Sequence, residues 1–219
     1  VAGGILAALL VANQAAAVPI KIEGSWQGSQ TVTINAPAIS SNQVNAGGFK
    51  VSIDNGPSVL AWCADLLTTI SFGNTYEYSG PSTLVGTAAN NLAKLASNAL
   101  GTVTSQVTAA DKAAYSAAFQ LAIWEILYEG SPSAVDTGTG FKVSVGPSSV
   151  GIANGWLGSL AGWENGQNYA VDFYQKDGTP PGQDLVLFRR VPVPEPGSFA
   201  LMLVGVAGAG LLVLRKRMV

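Results

Sequence analysis

Two side chains stand out as able to react, and they lie far apart in the chain. Cys63 is the one cysteine of 219 residues, so its thiol has no disulfide mate within the molecule. Gln120 is an uncharged polar residue in the apolar segment AAYSAAFQLAIWEILYEG, residues 113–130. Helical spacing puts Trp124 one turn beyond it and packs Phe119, Ile123 and Ile126 around it, so the amide is buried and must be hydrogen-bonded or chemically used. Residue by residue, two readings stand. A lone cysteine often packs as a small hydrophobe, and a helix glutamine often bonds to main chain. A thiol pressed against a carboxamide with water excluded is also poised to exchange the amide for a thioester.

The absence of histidine from the chain excludes serine–histidine triads, cysteine–histidine dyads and histidine-ligated zinc. No metal or cofactor is expected. Charged residues make up only 11% of the chain, glycine has 26 copies and the net charge is −2, which suits a loop-rich exported protein and argues against nucleic acid as a partner. Asp65 with Glu77, and Glu125 with Glu129, lack any surrounding motif and read as solvated charge. Trp26, Trp156 and Trp163 read as core aromatics, with sugar stacking as the alternative.

Both ends look like processing segments. Residues 1–17 read as a signal peptide lacking its start: VAGGILAALLVA is apolar and uncharged, and Ala15 and Ala17 suit a small-residue cleavage site. At the other end, VPVPEPGS leads into an apolar run from 199 to 214 and then Arg215, Lys216 and Arg217. The run would span roughly 25 Å as a helix, near the lower limit for crossing a bilayer, with the basic stop held in the cytoplasm.

This order of parts over 191–219, with Pro194, Glu195 and Pro196 as the motif, resembles the PEP-CTERM sorting signal of bacterial exported proteins. The resemblance implies a membrane-anchored precursor, an exosortase-type processing enzyme as partner, and delivery to the cell surface or a biofilm matrix.

Between these ends, 18–190 reads as one exported domain. Alternation at Ile20, Lys21, Ile22 and Glu23, and again at 49–54, predicts half-buried antiparallel strands. The run 58–64, with Trp62 and Cys63, is apolar on both faces and predicts an interior strand. Further strands are expected near 73–80, 141–145, 168–175 and 183–189. Helices are expected over 87–100 and 113–130, the second introduced by Thr108 and Asp111, while 146–166 reads as irregular. The fold class expected is α+β: an antiparallel β-sandwich or barrel with a two-helix insertion, followed by one C-terminal transmembrane helix.

A strand-borne Trp62-Cys63 followed by a helical Gln-x-Ala-Ile-Trp, from Gln120 to Trp124, is similar to the thioester domains of bacterial surface proteins. That resemblance implies a Cys63–Gln120 thioester with Trp62, Phe119 and Trp124 around it. It implies an adhesin rather than an enzyme, making one covalent capture of an amine- or hydroxyl-bearing surface target per molecule. The alternative is a non-covalent structural or polysaccharide-binding matrix protein with the same sorting tail.

Overall fold

The computed structural model describes residues 17–192 except 37–38, 67, 130–131, 133, 137–139, 146–147, 165–167 and 177. The signal peptide, Pro194, Glu195 and Pro196, the C-terminal apolar run and Arg215, Lys216 and Arg217 lie outside these residues. Among the described residues no helix is long and apolar enough to cross a membrane.

Strand β1, Val18–Ser25, begins with the alternation read from sequence. Ile20 and Ile22 are fully buried while Lys21 and Glu23 face solvent. It pairs antiparallel with β4, Phe49–Ile53, and with β6, Thr75–Thr83. Strand β5, Ser58–Cys63, lies between β4 and β9, Leu185–Arg190, and β8, Tyr169–Lys176, closes the circle back to β6. The result is a closed six-stranded barrel in the order β1-β4-β5-β9-β8-β6, which settles the sandwich-or-barrel alternative. Alternate residues fill it: Ile20, Ile22, Val51, Ala61, Tyr78 and Leu185 form its interior cluster.

A second sheet has the order β3-β2-β7, from β2, Gln30–Ala36, β3, Ile39–Ala46, and β7, Lys142–Val145. Between the sheet and the outer wall of the barrel sit the helices and the larger apolar cluster. Helices α1, Thr87–Thr104, and α2, Ala109–Tyr128, form the expected insertion. Thr108 Oγ1 accepts from the Asp111 amide at 3.1 Å, as the capping pattern requires. From Ala117 to Ile123 every residue of α2 is fully buried, so the helix that looked apolar all round is the central rod of the domain.

Two expectations are corrected here. A third helix, α3, Ser149–Ser159, occupies the stretch read as irregular. Its glycines make it a weak helix former alone, and it is held by tertiary packing: Ala153 and Leu157 are buried, and Trp156 lies against Tyr115 and Phe119. Glu77 is exposed, as expected, but Glu125 and Glu129 are not simply solvated. Glu125 is fully buried in α2, and Glu129 Oε1 accepts from the main-chain amides of Gly140 and Phe141.

Candidate functional site

Cys63 is the last residue of β5, at the seam where the barrel interior meets the helical core, and it packs against both clusters. Its neighbour Trp62 points the other way, into the helical core. There it is fully buried, with its ring 4.9 Å from Phe119, 5.5 Å from Phe188 and 6.1 Å from Trp26. A glycine makes this packing possible at the nitrogen edge of the indole. A Cβ at Gly48 would fall 2.9 Å from Trp62 Nε1. Trp62 and Phe119 thus pack together behind the end of β5, and Trp124 lines the same cavity as Cys63.

The partner of the thiol is not the one read from sequence. Gln120 is fully buried, and its amide is committed at both ends to the main chain of Cys63. Oε1 accepts from the Cys63 amide at 3.0 Å, and Nε2 donates to the Cys63 carbonyl at 2.8 Å. It thus completes the hydrogen bonding of the strand end and fastens β5 to α2, a role buried polar groups need. The side chain that faces Cys63 Sγ is Gln183, whose Oε1 accepts from the thiol. The expected Cys63–Gln120 pairing is corrected to a Cys63–Gln183 contact.

Gln183 is brought there by the pairing of β5 with β9, in which Cys63 lies opposite Leu185. The Ala64 amide donates to the Asp184 carbonyl at 2.8 Å, carrying the register past the strand end. The carboxamide is then oriented at its other end. Gln183 Nε2 donates to the Thr68 carbonyl at 2.6 Å. Tyr78 adds a hydrogen bond from its hydroxyl to the main-chain carbonyl of Gln183 at 3.1 Å, which holds the residue but not its carboxamide.

Asp65 ties the two segments together. Its Oδ1 accepts from the Thr68 amide at 3.1 Å and the Thr68 hydroxyl at 2.8 Å, and its Oδ2 accepts from the Asp184 amide at 2.8 Å. One carboxylate therefore fixes both the residue that holds the Gln183 amide and the residue that follows Gln183. Such charge-assisted bonds are stronger than neutral ones.

Burial pushes the Cys63 thiol pKa well above its ordinary value, and the nearby Asp65 carboxylate pushes it the same way. The neutral thiol is the resting form. Tyr78 is raised as well, first by burial and then by Cys63. Neither shift suits a freely ionising catalytic thiolate.

A cavity of about 410 Å³ opens beside the pair. Its walls include Cys63, Gln183, Thr68, Phe72 and Trp124, and among the described residues no charged side chain contributes to them. No group of metal-ligating side chains occurs among the described residues.

Sequence reasoning missed Gln183. Nothing local marks it, because it follows a Thr-Pro-Pro-Gly turn as any polar loop residue could. Only the β5–β9 register selects it.

Comparison with known proteins adds two findings. Among solved structures the chain is similar to the N-terminal thioester domain of fibronectin-binding protein SfbI from Streptococcus pyogenes, with 14% identity and a TM-score of 0.43, over 66% of this chain and 86% of that chain. A search of curated proteins found no match. Residues 192–217 match the family described as the PEP-CTERM protein-sorting motif. The chain carries a PEP-CTERM sorting tail, and with it the mark of a protein exported through exosortase after association with the membrane.

Proposed function

We propose that the exported domain forms an internal thioester between Cys63 and Gln183 and uses it for covalent attachment to a nucleophile at the cell surface or in the surrounding matrix. The observation that carries this reading is the contact of Cys63 Sγ with a carboxamide whose nitrogen is held by the Thr68 carbonyl. Held at both ends, the amide meets the thiol within one molecule, which replaces the entropy cost of a bimolecular encounter.

The reaction balances without a cofactor. Cys63 Sγ attacks the Gln183 side-chain carbonyl carbon, the C–S bond forms and the C–N bond breaks. The departing nitrogen leaves as ammonia with the thiol proton. The Thr68 carbonyl accepts a hydrogen bond from this nitrogen on the way out. An incoming primary amine follows the reverse path, its nitrogen taking the vacated position beside Thr68 and its proton passing to Sγ as the C–S bond breaks. The product is an amide at Gln183 and a free Cys63.

An amine is favoured over a hydroxyl as the acceptor. Hydroxyl attack needs a general base to remove its proton, and the chain has no histidine to serve. The new amide also regains an N–H for the Thr68 carbonyl, which an ester lacks. Each molecule reacts once, so the domain is a capture device and not an enzyme.

Intact mass of the purified chain tests the proposal. The thioester form is lighter than the sequence mass by one ammonia, and methylamine restores a covalent adduct at Gln183. A chain of full mass with an alkylatable Cys63 would instead leave a non-covalent surface protein with the same sorting tail.

A further inference from the structure

Strand β3 forms one edge of the three-stranded sheet, and among the described residues its only strand partner is β2. Its sequence, ISSNQVNA, has no charged residue and no proline over 8 residues. Exposed edges of this length are ordinarily blunted by just those residues, because a free row of N–H and C=O groups recruits other strands.

The position of this edge gives it a purpose. The cavity beside Cys63 and Gln183 is also walled by Asn42, Gln43, Val44 and Asn45, four consecutive residues of β3, and by none of β2. A sheet face would contribute alternate residues from both strands. A run of consecutive residues from the outermost strand is what a free edge presents. Among the described residues, no hydrogen bond beyond the β2 pairing reaches the main chain of 42–45.

We propose that the free edge of β3 docks an extended peptide segment of the target protein, which adds as a fourth strand to the β3-β2-β7 sheet and brings a side-chain amine to Gln183. The chemistry of the edge selects this occupant. Its unmet donors and acceptors repeat at strand spacing, and extended main chain supplies the complementary row. The neutral walls favour an uncharged stretch of backbone, with affinity coming from main-chain bonds and not from charge. Delivery of the amine rests on the Cys63–Gln183 thioester, whereas docking on β3 does not.

The two parts are tested separately with the full chain in detergent. The probe is a capped peptide matched to the 8 residues of β3, alternating threonine and valine around a central lysine; the control carries proline at alternate positions. In Cys63→Ala, which makes no thioester, the probe should slow amide exchange at 42–45 and the control should not. Equal protection by both peptides, or none by the probe, overturns docking. In the unmodified chain, the probe should form its amide at Gln183 about tenfold faster than Nα-acetyl-lysine methylamide at equal concentration, through raised effective concentration. Equal rates overturn delivery. Docking in Cys63→Ala combined with a full-mass unmodified chain upholds the β3 edge and removes the thioester.

Discussion

The Thr68 carbonyl oxygen accepts a 2.6 Å hydrogen bond from Gln183 Nε2, and this bond fixes which end of the carboxamide meets the thiol. With nitrogen turned toward Thr68, Oε1 and the carbonyl carbon are left to Cys63. Thr68 is in turn held by Asp65, so the orientation of the reactive amide depends on a carboxylate that lies outside the reacting pair.

Asp65→Asn should therefore slow thioester formation. An amide side chain retains one acceptor but places a donor where the second carboxylate oxygen accepts from Asp184 and Thr68. Each lost charge-assisted bond is worth about 1.5–3 kcal/mol. The fraction of chains lighter by one ammonia, followed over time after refolding, should fall severalfold while the far-ultraviolet circular dichroism stays unchanged. Formation at the unaltered rate would remove Asp65 from the account.

Gln120→Ala should act on stability. It leaves the Cys63 amide and carbonyl without their partners inside the protein, at about 1–3 kcal/mol for each buried group. The urea midpoint should drop accordingly, and the Cys63–Gln183 bond should still form in molecules that fold. Loss of the bond with unchanged stability would return Gln120 to the role of thiol partner.

In Gln183→Ala the Cys63 thiol is left free, and its pH dependence has a definite sign. Burial first, then Asp65, keeps the native thiol protonated above its ordinary value of 9.0. The unfolded chain ionises as pH passes that value and the folded chain does not, so this group's contribution to stability is intact below pH 9.0 and is lost as pH rises beyond it. Iodoacetamide should modify the native thiol slowly at pH 8 and quickly in urea. Native reactivity equal to that of the unfolded chain would contradict the burial argument.

Gly48→Ala probes the packing that supports the site. The new methyl would meet Trp62 Nε1 at 2.9 Å and Cε2 at 3.1 Å, and a fully buried indole held by Phe119 and Phe188 has little room to give. Overpacking of this kind costs about 1–3 kcal/mol, measurable as a lower thermal midpoint. No change would mean that the loop carrying Gly48 moves freely over Trp62.

What the sequence disclosed and what it withheld follow from range. The alternation of β1, the apolar strand ending in Cys63, the capped central helix and the sorting tail are local patterns, and each is readable over a few residues. Gln120 was conspicuous because a buried amide is costly, yet burial alone does not say whether the partner is a thiol or main chain. Gln183 was invisible because it meets Cys63 across 120 residues of chain, by a strand pairing that no local signal specifies. Helix α3 was missed for a related reason: its intrinsic propensity is poor and the packing of Ala153, Leu157 and Trp156 overrides it. The clamp role of Asp65 likewise depends on Thr68 and Asp184 arriving from different segments.

The most direct measurement is proteolysis of the purified chain at neutral pH followed by tandem mass spectrometry of any crosslinked peptide. The account predicts a peptide pair joining Cys63 to Gln183, lighter by one ammonia and cleaved by methylamine, which labels Gln183. An intact Gln183 beside a free Cys63, or a crosslink mapped to Gln120, would contradict it.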